Sequence, residues 1–372
     1  MKVTRASRFR DDSLRSVHWT FLRTLLHMCF LQGVIGIAFA SPQAVIPRPQ
    51  QRSDFVEAQQ AFSNSQYIQA AKLFADIADK TQTYGVRERA VALRMKAKCF
   101  VKLSRFIEAD SALRASLDLE PRSAETLYLL GFVLQRENQP AASLGVFTQA
   151  TAIAPPQSDD LKLVALDYIL LDDYRDGIRW LQQALTLNAN NAEGWYDLGR
   201  AHMHQGQFDE AIHAFKRSLS IVPQNAKALD NVGLSYEAQN KPEEALKNFQ
   251  AAVEVARTSA QPGSQPFLDL GTFLEEHEQY GEAESLLLRA AELTPNNSRC
   301  FEELARAYIG EAKDTQAKTT LEHAVALDPK NPRLHYQLAR LYRKLGLTQQ
   351  AQTEFKETSR LYGPHSVSIE PY

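Results

Sequence analysis

Residues 192–224 read AEGWYDLGRAHMHQGQFDEAIHAFKRSLSIVPQ. Trp195, Leu198 and Gly199 stand at W-x2-L-G spacing, Ala211 and Phe215 at A-x3-F, and Pro223 closes the stretch. The same arrangement recurs at a step of 34 residues, with copies starting at 90, 124, 158, 192 and 226. A four-residue insertion in 258–262 moves the next start to 264, and 298 and 332 follow. A divergent copy begins near 51, so nine copies cover 51–365.

The repeat holds position by position. The eighth residue of each copy is small: Ala58, Ala97, Gly131, Ala165, Gly199, Gly233, Gly271, Ala305 and Ala339. So is the twentieth: Ala70, Ala109, Ser143, Gly177, Ala211, Ala245, Ala283, Ala317 and Ala351. The twenty-fourth is large: Phe74, Leu113, Phe147, Leu181, Phe215, Phe249, Leu287, Leu321 and Phe355. Two small positions and one large one are thus fixed in register, as close packing of two chain segments beside a filling side chain requires. Pro121, Pro155, Pro223, Pro295 and Pro329 recur near position thirty-two, where proline stops a helix. Asn191, Asp159 and Asn297 stand where they can cap the next one.

This pattern resembles the tetratricopeptide repeat, a helix–turn–helix unit of 34 residues. The resemblance implies an all-α fold: a right-handed superhelical solenoid of about nine such repeats. Composition agrees. Gly and Pro number 16 each in 372 residues, and 48 Ala favour helix. Hydrophobic residues at 44% and charged ones at 23% exclude collagen-like and disordered chains. The terminal copies carry polar residues at normally apolar positions: Asp54 and Glu57 in the first, Thr358 and Ser359 in the last. Such faces suit the solvated ends of an array.

Residues 1–40 stand outside the repeat. Lys2, Arg5, Arg8, Arg10, Arg15 and Arg23 precede an apolar run, Leu25–Ala40, that ends in Ala38-Phe39-Ala40. A basic stretch, a short apolar run and small residues at its end describe a secretory signal peptide cleaved after Ala40. The chain is then expected to be periplasmic or secreted; the alternative is an uncleaved inner-membrane anchor, its only expected membrane attachment. Residues 41–50 read as a flexible lead-in and 366–372 as a tail. Without 1–40 the charge falls from −2 to near −6, with 36 Lys+Arg against 42 Asp+Glu. Neither value suits nucleic-acid binding, which is usually basic.

No catalytic or cofactor signature is present: no Gly-rich phosphate loop, no G-x-S-x-G and no H-E-x-x-H. His202 and His204 are two residues apart and do not share a helix face. Three cysteines are too few for a disulfide framework. Cys99 and Cys300 lie in the second and eighth copies, too distant in a solenoid to pair. No enzyme activity, metal or cofactor is expected, and nothing in the sequence sets an oligomeric state.

In the family, the first helices line an inner groove through positions two, five, six, nine, twelve and thirteen. Carried over, these positions give Arg94, Lys98, Tyr128, Phe132, Lys162, Leu166, Tyr196, Arg200, Asp230 and Asn231 as the candidate partner-binding residues. Further along stand Asp269, Glu275, Glu302, Glu303 and Arg306, then Tyr336, Arg340, Arg343 and Lys344. The strip is basic, then aromatic and aliphatic, then acidic, then basic. Aromatic residues with Arg are the composition of binding hot spots. The carboxylate clamp of chaperone-binding members is absent: Asn231 fits its middle position, but Tyr196 and Arg200 before it do not. The expected function is a non-catalytic scaffold holding a peptide or partner protein in the groove. The alternative is an accessory subunit of an envelope enzyme, secretion or polysaccharide-export complex.

Overall fold

The computed structural model describes residues 49–362. They form eighteen α-helices in consecutive pairs, and no strand occurs among them. The signal peptide expected at 1–40 and the tail expected at 366–372 lie outside the described residues.

The chain divides into two compact units between Gln205 and Gly206. The N-terminal unit holds α1 (Pro49–Ser63), α2 (Tyr67–Asp79), α3 (Val86–Lys102), α4 (Phe106–Leu119), α5 (Ala124–Arg136), α6 (Pro140–Thr151), α7 (Ser158–Leu170), α8 (Tyr174–Leu187) and α9 (Ala192–His204). The C-terminal unit holds α10 (Phe208–Ile221), α11 (Ala226–Ala238), α12 (Pro242–Thr258), α13 (Gln265–Glu276), α14 (Tyr280–Leu293), α15 (Ser298–Gly310), α16 (Asp314–Leu327), α17 (Pro332–Lys344) and α18 (Thr348–Tyr362). Within each unit every helix packs on the next, and several first helices meet directly, as α5 meets α7 and α13 meets α15.

The small positions explain the close approach. A Cβ on Gly131 would lie 2.7 Å from the ring of Phe147, and one on Gly233 would lie 2.6 Å from Phe249. The eighth and twenty-fourth positions thus fill one volume between paired helices. All the large residues at position twenty-four are buried except Phe355 in the last helix, which is half-buried.

The turn inside each pair is uniform although its sequence is not. Ser65, Ser104, Asn138, Asp172, Gly206, Asn240, Glu278, Ala312 and Gly346 all stand at position fifteen, with φ between 56° and 75°. This left-handed residue lets the chain bond back onto the first helix. The amide of Lys313 donates to the Tyr308 carbonyl at 2.8 Å, and Gln139 donates to Leu134 at 2.9 Å.

Caps and boundaries differ in places from the sequence pattern. Asn191 caps α9 and Asn297 caps α15, and Asn225 and Asn331 do the same for α11 and α17. Asp159 lies inside α7; its neighbour Asp160 instead accepts the Gln157 amide at 2.8 Å. α1 starts at Pro49, so the last two residues of the expected lead-in are helical. α3 starts at Val86, four residues before the register start, because Glu88 accepts the Gly85 amide at 2.8 Å and holds an extra turn. The insertion after α12 is partly helical: α12 runs on to Thr258.

The ends also differ from expectation. Asp54 is tied inward, accepting from Lys80 Nζ at 2.9 Å and from the Tyr84 hydroxyl at 2.7 Å. Thr358 is buried and donates to the Glu354 carbonyl at 2.8 Å, so only Ser359 of that pair faces solvent.

Candidate functional site

In the N-terminal unit the expected groove residues sit on the first helices α3, α5, α7 and α9. Arg94, Lys98 and Lys102 follow one another at four-residue steps along α3, so they share a face. The Glu125 carboxylate on α5 reaches both Arg94 and Lys98 at 2.9 Å. Arg94 also donates to Thr126 Oγ1 at 3.4 Å. Burial pushes the Glu125 carboxyl upward, but the Lys98 hydrogen bond and the Arg94 charge outweigh it and hold the group below its ordinary value.

Beside this pair lies an aromatic spot. Phe132 is half-buried and meets Phe106 edge-on at 6.4 Å between ring centres. Arg136 stands over the Phe106 ring at 5.3 Å, a cation–π contact. Tyr128 is half-buried and its hydroxyl donates to the Ala154 carbonyl at 2.7 Å, which ties α5 to the link before α7.

On α7, Lys162 pairs with Glu193 of α9, and Leu166 is half-buried. On α9, Tyr196 is half-buried and Arg200 is exposed. Burial raises Asp197 to about 6, with the Lys162 charge opposing it. Tyr174 and His204 stack at 4.8 Å.

Asp230 and Asn231 belong to the C-terminal unit. Asp230 is buried, and Asn231 is half-buried with its side-chain amide donating to the Lys227 carbonyl at 2.9 Å. Further along, four carboxylates are buried on first helices: Asp269, Glu275, Glu302 and Glu303. Arg299 reaches Asp269 at 3.8 Å, and Arg333 reaches Glu302 at 2.7 Å. Arg306 sits between Glu275 at 2.7 Å and Glu303 at 2.8 Å.

The polarity of these ladders inverts between the units. In the N-terminal unit the earlier first helix supplies the cation, and position two of the next supplies the glutamate: Lys98 to Glu125, Lys162 to Glu193. In the C-terminal unit the earlier helix supplies the carboxylate and position two supplies the arginine: Asp269 to Arg299, Glu302 to Arg333. Glu125 and Glu193 were not among the expected groove residues. Position two was the available signal, since it is itself a groove position.

Among the described residues no group of three His, Cys, Asp or Glu could hold a metal ion, and no helix is long and apolar enough to cross a membrane. Cys99 and Cys300 are free and buried. Burial raises the Cys99 thiol to about 11.

Four family models described as tetratricopeptide repeat match the chain, over residues 190–258, 233–298, 298–331 and 320–353. None of the curated proteins matches the sequence. Among solved structures, the chain is similar to PilW, a widely conserved type IV pilus biogenesis factor, at 23% identity over 56% of this chain and 94% of that one, with a TM-score of 0.51. It is similar to a structure of the APC/C hetero-tetramer Cut9–Hcn1 at 16% identity over 86% of this chain and 58% of that one, TM-score 0.53. The C-terminal part of a TPR repeat-containing protein from Cytophaga hutchinsonii matches at 14% identity over 67% of this chain and 99% of that one, TM-score 0.54. These likenesses concern the fold. The matched models cover residues 190–353, and the same helix pairs continue upstream to Pro49, the left-handed turns to Ser65 and the small-to-large contact to Gly131 and Phe147: the chain is a tetratricopeptide-repeat protein.

Proposed function

We propose that the protein is a non-catalytic interaction scaffold that holds an extended peptide, or a segment of a partner protein, along the first helices of its N-terminal unit. One observation carries this reading: α3, α5, α7 and α9 present half-buried Phe132, Leu166 and Tyr196 between the cations Lys98, Lys102 and Arg200. Partly exposed aromatic and aliphatic side chains rimmed by cations suit a bound chain that offers apolar anchors. The charged groups along these helices are committed largely to pairs between neighbours, which supports positioning rather than proton transfer.

The protein would work outside the cytoplasm. Support comes from residues 1–40, whose basic and apolar segments end at Ala40. Cell fractionation with N-terminal sequencing tests this. Export and a chain starting at Ser41 are expected, and a cytoplasmic chain starting at Met1 would overturn it.

The groove is tested by placing a photo-crosslinking amino acid at Leu166 and, in a separate variant, at the exposed second-helix residue Leu187. Adducts from position 166 and not from 187 are expected. Adducts from 187 alone would remove the groove assignment.

A further inference from the structure

The cationic row on α3 is occupied from within the molecule. Arg94 is mostly buried, with 12% of its side chain exposed, whereas Glu125, which bridges it to Lys98, is 57% exposed. The cation is therefore anchored and the carboxylate lies at the surface. The guanidinium is also under-used: one end meets Glu125, the other makes a long 3.4 Å bond to Thr126, and Nε is buried without a hydrogen-bond partner. Thr126 Oγ1 is shared with the Ser123 hydroxyl at 2.8 Å. Buried guanidinium donors normally find acceptors, and the fork geometry of arginine suits a carboxylate.

The charge balance points the same way. α3 carries Arg87, Arg89, Arg94, Lys96, Lys98 and Lys102 against Glu88 alone. One glutamate serves two cations of the row, and Lys102 extends it by a further turn. Glu125 and Phe132 share the sequence face of α5 through steps of three and four residues, so the aromatic spot adjoins the carboxylate site.

We propose that Glu125 is a tethered occupant of a carboxylate-binding row, Arg94–Lys98–Lys102, and that the partner segment is acidic, displacing Glu125 while an apolar side chain seats on Phe132. This rests on the groove reading above and names the chemistry of its ligand. It makes the site self-masked. Glu125 neutralises the row until a segment with several carboxylates outcompetes it, and a segment with a single carboxylate only exchanges one ion pair for another.

The test is fluorescence anisotropy on the full chain with a labelled peptide of alternating Asp/Glu and Leu/Phe, its Asn/Gln analogue and its Lys analogue. Glu125→Gln is expected to tighten the acidic peptide about fivefold, the scale of one partly exposed ion pair. Glu57→Gln makes the same charge change at an exposed α1 site and controls for net charge; less than a twofold change is expected, as an exposed charge that makes no ion pair with the row is screened by salt. Lys98→Gln and Lys102→Gln are expected to weaken the acidic peptide severalfold. The exposed Lys102 keeps the test open if substitutions nearer Arg94 disturb folding, which circular dichroism reports. Glu125→Gln binding no tighter than Glu57→Gln, or a Lys analogue binding as well as the acidic peptide, would overturn the proposal. If Leu166 still crosslinks a partner in that event, the groove stands and only its ligand chemistry is wrong.

Discussion

The ring of Phe147 closes over Gly131, so that a Cβ at position 131 would lie 2.7 Å from it. Gly131→Ala therefore sets two effects against each other. The helix interior gains about 1 kcal/mol from alanine, while the crowded contact costs about 1–3 kcal/mol. A net loss is expected, read as earlier urea unfolding and lower amide protection in α5 and α6. The decisive measurement is the pair. In a Phe147→Leu background the same Gly131→Ala change should cost less, because the smaller, flexible leucine can turn away from the added methyl group where the ring lying over position 131 cannot. Equal losses in both backgrounds would mean that the ring is not the cause.

Ala312 holds φ at 57°, a conformation that a side chain disfavours by about 1–2 kcal/mol. Gly206 and Gly346 fill the equivalent turns without that cost. Ala312→Gly is expected to stabilise the C-terminal unit by about 1 kcal/mol, net of glycine's larger unfolded-state entropy. Thermal melting checks it, and Ala312→Val, with a branched side chain, should move the midpoint the opposite way.

These two contacts also mark what was legible in the sequence. The small and large positions were readable because they satisfy packing inside one repeat, and that packing recurs. The left-handed turn was not readable as a rule, since only two of its nine residues are glycine; Ser104, Glu278 and Ala312 are held there by the surrounding helix pair. The early start of α3 depends on a single local bond between Glu88 and Gly85. For the site, family positions placed Arg94, Lys98 and Lys162 on first helices. Their partners Glu125 and Glu193 both stand at position two, a groove position of the repeat, but which residue of the preceding first helix each comes level with is not set by the 34-residue period. Asp230, at a groove position, is buried.

Asp167 is fully buried on α7, with Gln135 donating to Oδ1 at 3.1 Å and the Ser143 hydroxyl also beside the carboxylate. Burial pushes it up to about 7. The native chain therefore holds this proton more tightly than the unfolded one. The contribution to stability is full below about pH 4 and is lost as pH rises through about 7. Asp167→Asn removes the ionisable group and keeps an acceptor for Gln135. Wild type is expected to lose stability between about pH 5 and about pH 8, by up to a few kcal/mol, and the variant to lose less. Parallel curves for the two proteins would show that Asp167 does not titrate in this range.

Arg306 separates two buried carboxylates, Glu275 and Glu303, and touches both. Burial raises Glu275 to about 7 even with Arg306 opposing it, and the charges of Glu303 and Glu276 add to the rise. Arg306→Gln would leave both carboxylates facing each other without a cation, a loss of about 3 kcal/mol for a broken buried pair. The loss should depend on pH. Near pH 5 Glu275 takes up a proton and the repulsion falls; near pH 8 it must ionise in place, so the variant should be weaker there. Adding Glu275→Gln to Arg306→Gln removes one of the two charges and should recover part of the stability at pH 8 and little at pH 5. Urea unfolding of the single and double variants at both pH values reads this. An equal deficit at the two pH values would mean that Arg306 acts through the packing of its aliphatic stem and not through its charge.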